Sequence, residues 1–509
     1  MNYANHLLNK NEVIINEDDG AKLRIIFYKD NIARISRTLD KFAPKNDYIV
    51  IAEPEPVAFD VLEDKKSLTV TSGVLKLVIS KRDMRISFYH GDSLLVGQPR
   101  YGMQLFQTTI TVPRYESDLD NYPNMKHVST DELPGYKFWL RFDFAPDEHV
   151  FGLGSNETGA FDRKARAQYL YQQNYKAPVP FFVSDKGYGV LVDTGAFSSF
   201  SYDFFGQTFY TDSVQMGDFY FIAGGNLDNV VRGYRLLTGQ APLMPKWFYG
   251  YTQCKEHYHT QKELLDVLHE YRRRKVPLDL IVQDWYYWPE GTWSDKSFDL
   301  SRYPDPKGMC DEVHSQNAKI MISVWPKTSG GASHRELWKK GQLLGDGEVY
   351  NVFDEGACET FWSQIMSMAK YGFDAWWCDC TEPYEDGWGT MVEDDELKTQ
   401  MVGDYKKFID SRYINLFSLL NSRNLYAKNR RDIPNKRMVN LTRSGYAGQQ
   451  RCSTVVWSGD ISASWTDLRN QVAEGLNFCA SGLPYWTLDI GGFFPKAGFN
   501  GLRVNMRCE

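Results

Sequence analysis

Through residues 1 to about 240, apolar and polar positions alternate with a period of two in short runs. Ser67–Val78 (SLTVTSGVLKLV), Met84–Tyr89 and Gly187–Thr194 (GYGVLVDT) are the clearest. Successive side chains of a strand point to opposite faces, so this pattern predicts half-buried strands. Gly, Asp, Asn and Pro punctuate the runs and no helical period interrupts them, which predicts an antiparallel β-sandwich.

The pattern changes after Pro242-Leu243-Met244-Pro245. Strands are predicted at Phe248–Thr252, Leu278–Val282, Ala318–Val324, Ala375–Cys378, Met438–Thr442, Thr454–Trp457 and Pro484–Leu488. Between them lie helical segments: one in which Leu264, Leu265, Leu268 and Tyr271 share a face, one near Pro306–Gln316, and one over Gln400–Leu420. Strands alternating with helices predict a parallel sheet, and this many units predict a (β/α)8-type TIM barrel. About seven of its eight strands are legible. The expected layout is a sandwich domain over 1–240 and a barrel over 241–509.

A length of 509 residues agrees with that division, since one core rarely grows so large. The net charge of −7 concentrates no positive charge for nucleic acid or an anionic membrane, so neither is an expected partner. The run Arg272, Arg273, Arg274, Lys275 ends a predicted helix, where cations are stabilising. No apolar run is long enough to span a bilayer, and MNYANHLLNKNEVIINEDDG has neither the basic nor the apolar part of a signal peptide. The eight cysteines contain no CxxC pair and no His cluster has metal-ligand spacing, so no metal and no cofactor is expected. Dispersed thiols suit a reducing compartment, and a cytoplasmic location is expected.

In a barrel of this kind the working residues stand at the C-terminal ends of the strands. Asp284 follows LDLIVQ, Asp379 follows AWWC, Arg443 follows MVNLT, Asp460 follows VVWSG and Asp489 follows PYWTL. Each Asp alone could equally cap the next helix. Five polar residues at one topological position point instead to shared chemistry. Paired carboxylates suit glycoside hydrolysis, in which one attacks the anomeric carbon and the other protonates the leaving oxygen. No nucleophile elbow, P-loop or dinucleotide fingerprint competes. A metal-dependent hydrolase using the same Asp residues is disfavoured because no His accompanies them.

The wording of these segments carries a resemblance. WWCDCTEP (376–383), RSGYAGQQRCSTVVWSGD (443–460), YWTLDIGGF (485–493) and IVQDWYYWPEGTW (281–293) resemble, in order, the signatures of glycoside hydrolase family 31. FGLGSNETG and PVPFFVSDKGYGVLVDT resemble its N-terminal β-domain. The resemblance implies Asp379 as nucleophile and Asp460 as general acid/base, with their carboxyl groups about 5–5.5 Å apart. It places Asp284, Trp285, Trp377, Arg443, Trp457, Asp489 and Phe493 around the bound sugar, with Glu382 in support. The implied activity is that of a retaining, exo-acting α-glycosidase closest to α-xylosidases and α-glucosidases, working on an oligosaccharide or small α-glycoside. An α-N-acetylgalactosaminidase is the alternative within the family, and a homo-oligomer is compatible with it. The family continues beyond DIGGF, with a substrate-binding His, whereas this sequence runs FPKAGFNGLRVNMRCE. The barrel is therefore expected to lack its final unit, and a sugar-binding but inactive fragment is the second expectation.

Overall fold

A computed structural model describes residues 2–118, 122–156, 158–345, 347–383 and 394–494. An N-terminal antiparallel sandwich is followed by a parallel sheet with helices packed around it, as the alternation predicts. The expectation that the barrel stops short falls on residues 495–509, outside the described residues.

The sandwich is built from an eight-stranded sheet, running from Tyr3–Asn9 at one edge to Val150–Ser155 at the other, and two five-stranded sheets. Their inner faces share one apolar core. There Phe88 stacks on Phe221 at 4.0 Å between ring centroids, and Phe142 meets Phe182 edge-on at 5.8 Å. Such aromatic pairs add to the area they bury.

Three expectations need correction here. Ser67–Val78 is a hairpin of Ser67–Ser72 and Leu75–Ser80, because Gly73 turns the chain at φ 52°. Residues 1–240 also contain a helix, Leu227–Thr238, which the strand-like pattern hid. Its end signals are in the sequence: the Asn226 side chain accepts from the Asn229 N–H at 2.9 Å, and Gly239 follows at φ 99°. At the start of the barrel, Phe248–Thr252 is a 3-10 turn at Lys246–Tyr249 followed by a short strand.

That short strand is β1 (Thr252–Gln253). The sheet continues through β2 (Leu280–Gln283), β3 (Lys319–Ser323), β4 (Ala375–Cys378), β5 (Asn440–Thr442), β6 (Thr454–Trp457) and β7 (Trp486–Thr487), each parallel to its neighbour. Tyr485, entering β7, donates its hydroxyl to the Pro242 carbonyl at 2.9 Å and packs edge-on to Phe248 at 5.8 Å. The last strand of the sheet therefore curls back to the entry of the first. Leu280, Val282, Ala375, Trp377, Val455 and Trp457 fill the interior, while Ile281, Trp376, Cys378 and Val456 face the surrounding helices. This is the period-two alternation of strands buried on both faces.

The helix α1 (Gln261–Arg273) ends in the basic run as expected, and Arg272 donates to the carbonyls of Gln316 and Leu278 at 2.9 and 2.8 Å. Gln400–Leu420 is two helices, α2 (Asp394–Phe408) and α3 (Phe417–Asp432). The chain leaves the helix between them to dock on the sandwich: Ser411 exchanges bonds with Thr111, and the Asn415 N–H reaches the Gly195 carbonyl at 2.9 Å.

The two domains meet most tightly at α4 (Trp465–Ala480). Its Glu474 is ion-paired with Arg163 at 2.7 Å, both side chains almost wholly buried, and accepts from the N–H groups of Asn156 and Gly159. Asn477 and Ser481 accept from the N–H groups of Gly152 and Gly154, each at 2.8 Å.

Candidate active site

Barrel strands β2, β4, β5, β6 and β7 present polar residues within three positions of their C-terminal ends to the same mouth. At β4 the last paired residue, Cys378, faces the helices, so Asp379 faces inward. The next residue, Cys380, takes φ 53°, a left-handed conformation uncommon outside glycine, and its N–H turns back onto Oδ1 of Asp379 at 2.7 Å. The turn ends the strand and fixes the carboxylate in one movement.

Arg443, directly after β5, organises the site. Its side chain is fully buried. Nε stands 3.4 Å from Oδ1 of Asp379, and Nη1 donates to Oδ2 of Asp460 at 2.9 Å. Nη2 donates to Oε1 of Glu382 and to the Cys380 sulfur, the latter at 3.1 Å. One guanidinium thus spans four side chains from two strand ends, which a Lys ammonium lacks the geometry to do. Glu382 is fully buried, and its Oε2 has no hydrogen-bond partner among the described residues.

Asp284, after β2, accepts from the Trp285 N–H on Oδ1 at 2.6 Å and from the Cys254 thiol on Oδ2 at 3.5 Å. Asp489 lies just beyond β7, close enough to Asp460 and Asp379 to feel their charge. Trp377 and Trp457 pack at 4.8 Å, tilted by 58°, and form the apolar floor beneath the carboxylates. Trp285 leans on His257 at 5.2 Å and on Trp293 at 5.4 Å. Phe493 is held beside the acidic cluster by its N–H, which donates to the Ile461 carbonyl at 2.8 Å.

Burial pushes all four Asp carboxyls up from their ordinary range. For Asp379 and Asp460 the guanidinium of Arg443 opposes that push, while the charge of Asp460 on Asp379 adds to it. For Asp489, burial and then the charges of Asp460 and Asp379 raise the pKa to about 8. For Asp284, burial and then Asp379 raise it well above the ordinary carboxylate range. Two acids sharing one buried cation hold one negative charge more easily than two, so the Asp379–Asp460 pair retains a proton into the neutral range.

The strand-end rule finds Asp284, Asp379, Arg443, Asp460 and Asp489, and the structure brings all five together with Glu382. It gives no sign of Cys254, Cys380, Asn174 or Tyr175. The Cys380 thiol, read as a small buried hydrophobe, touches Arg443 through sulfur. Asn174 and Tyr175 belong to the sandwich, where Asn174 Nδ2 donates to Oδ2 of Asp460 at 2.8 Å and the Tyr175 hydroxyl donates to its carbonyl at 2.8 Å. No spacing within the barrel sequence points to them, because the contact crosses nearly three hundred residues.

Two family models match this chain: the glycosyl hydrolases family 31 TIM-barrel domain over residues 241–504, and the glycosyl hydrolase 31 N-terminal galactose mutarotase-like domain over 22–200. An α-xylosidase from Saccharolobus solfataricus is 39% identical over 379 residues, covering 72% of this chain and 50% of that protein. An uncharacterized family 31 glucosidase from Pseudescherichia vulneris is 30% identical over 469 residues, covering 86% of this chain and 84% of that protein. Among solved structures, a family 31 α-xylosidase from a soil metagenome, complexed with xylose, superposes with a TM-score of 0.81 at 26% identity, covering 98% of this chain and 75% of that one. The chain belongs to glycoside hydrolase family 31. It spans half the length of the Saccharolobus relative.

Proposed function

We propose that this chain acts as a retaining, exo-acting α-glycoside hydrolase on terminal α-linked xylose or glucose in an oligosaccharide or small α-glycoside. The observation that carries the proposal is the sharing of Arg443 between Asp379 and Asp460. A common guanidinium keeps two carboxyl groups near enough for the retaining mechanism, in which no water need fit between nucleophile and sugar in the first step. The identity to an α-xylosidase supports xylose as the first sugar to try.

In this reading Asp379 is the nucleophile. The Cys380 N–H bond and the closest approach of Arg443 Nε both fall on Oδ1, so Oδ2 forms the bond to the anomeric carbon. The bond to the leaving oxygen breaks as Asp460 gives up its proton to it. Asp460, now ionised, takes a proton from water, and that water attacks the anomeric carbon and releases Asp379. Two inversions return the starting configuration. Asp284 and Asp489, kept protonated by burial, can donate to sugar hydroxyls as well as accept from them. Trp285, Trp377, Trp457 and Phe493 supply apolar surface around the sugar.

The division of labour follows a boundary near residue 240, the barrel bringing the carboxylates and the sandwich supporting Asp460. The seven described cysteines are free thiols, which supports a reducing, cytoplasmic setting. The test is hydrolysis of aryl α-xyloside and aryl α-glucoside by the purified chain beside its Asp379→Ala variant. Turnover that the variant lacks supports the proposal. A folded chain inert on both substrates overturns it in favour of a sugar-binding fragment.

A further inference from the structure

We propose that Asn174 is a positioning residue for the acid/base, by which the sandwich domain decides which oxygen of Asp460 carries the transferable proton. The inference rests on the reading of Asp460 as general acid/base. Asn174 gives both ends of its side-chain amide to that one residue. Nδ2 donates to Oδ2 of Asp460 at 2.8 Å, and Oδ1 accepts from the Asp460 backbone N–H at 3.0 Å. The neighbouring Tyr175, at φ 77°, donates its hydroxyl to the Asp460 carbonyl at 2.8 Å. Nitrogen, side chain and carbonyl of Asp460 are therefore all held from the other domain.

The approach is close enough to dictate the residue before the acid. A Cβ at Gly459 would stand 2.2 Å from Asn174 Oδ1 and 2.8 Å from the Tyr175 nitrogen, and Gly459 itself is left-handed at φ 88°. A side chain there would push the two domains apart at this point.

Arg443 also donates to Oδ2 of Asp460. Oδ2 thus receives two N–H bonds, while Oδ1 receives none from the described residues. An oxygen accepting two donors is the one that holds negative charge, so the proton resides on Oδ1. Oδ1 is then the atom that meets the leaving oxygen, and its direction is fixed by the plane that Asn174 and Arg443 impose. The other ionisable groups facing Asp460 are Asp379, Cys380 and Asp489 from the barrel and Tyr175 from the sandwich, whose hydroxyl is on the backbone carbonyl. Only Asn174 reaches the carboxyl from the sandwich, so it is the lever by which that domain acts on the acid.

Leaving groups separate this role from a merely structural one. A glycosyl fluoride departs without a proton, whereas an alkyl or sugar aglycone needs one. Asn174→Ala should lose about tenfold or more on an alkyl α-glycoside and less than about threefold on the matching glycosyl fluoride, since only the proton-transfer contribution is touched. The basic limb of kcat/KM should also move to higher pH, because a donor that favours the ionised carboxylate has gone. Asn174→Asp, which keeps the shape and adds a like charge, should move it further in the same direction. Equal losses on both substrates, or an unmoved basic limb in folded variants, overturn the inference. Asp460→Ala must show the same split between substrates. If it does not, the reading of Asp460 is wrong and the inference falls with it.

Discussion

Nη1 of Arg443 donates to Oδ2 of Asp460 at 2.9 Å from a side chain with no exposed surface. The family resemblance implies sugar binding for Arg443, and in the structure its guanidinium stands among the carboxylates, where its charge offsets theirs.

Arg443→Met should therefore disable the pair as a whole. Without the guanidinium, burial is unopposed and both carboxyls move further up, so the nucleophile is protonated where it must be ionised. We expect a loss of at least about 100-fold in kcat/KM at pH 7, with the acid limb of the profile moved to higher pH. Arg443→Lys restores a charge and little of the fork, and should recover only a small part of the loss. A pH–rate series on the three proteins checks both statements.

Asp489 should make the protein less stable as pH rises. Its carboxyl is pushed up to about 8 by burial and neighbouring charge, against about 3.9 in an unfolded chain. The fold therefore favours the protonated form. The stabilisation is complete below about pH 4 and drains away as pH climbs through 8. Asp284 works in the same direction. Asp489→Asn, neutral throughout, should show a shallower fall of Tm between pH 5 and 8 than the parent chain. A steeper fall would reverse the sign of the argument.

Cys380 invites a backbone test. At φ 53° it directs its N–H onto Asp379, so the left-handed conformation is what the nucleophile needs. Glycine adopts it freely, whereas a β-branched side chain is strained there by about 1–3 kcal/mol. Cys380→Gly should retain kcat within about fivefold, the residual loss reporting the sulfur contact with Arg443. Cys380→Val should fall about tenfold or more through misplacement of Asp379. Steady-state kinetics with thermal denaturation on both variants separates strain from unfolding.

The joint between the domains carries a buried ion pair, Arg163 with Glu474. Removing one partner leaves a charge without compensation, and Glu474→Ala should cost about 3–5 kcal/mol. It also strips the acceptor from the Asn156 and Gly159 N–H groups. Paired apolar replacement at 163 and 474 should cost less than the single change, because no charge is stranded. Urea unfolding of the single and double variants measures the difference.

The fold was legible where periodicity was unambiguous. Ala375–Cys378 and Thr454–Trp457 are the strands that the apolar runs predict, residue for residue. In Ser67–Val78 and Gln400–Leu420 the periodicity runs on through a turn, where a single glycine or a docking contact with another domain divides the segment into two elements. The strand-end carboxylates were legible because a barrel sends every such residue to one mouth. Asn174 was not, since what places it is a tertiary contact between domains and no local pattern encodes that.

The central claim is the double displacement through Asp379 and Asp460, and its most direct test is the configuration of the first sugar released. Proton NMR of the anomeric signals, recorded during hydrolysis of an aryl α-xyloside before mutarotation, should show α-xylose accumulating ahead of β-xylose. First release of β-xylose would mean a single inversion, and Asp379 would then be a base rather than a nucleophile.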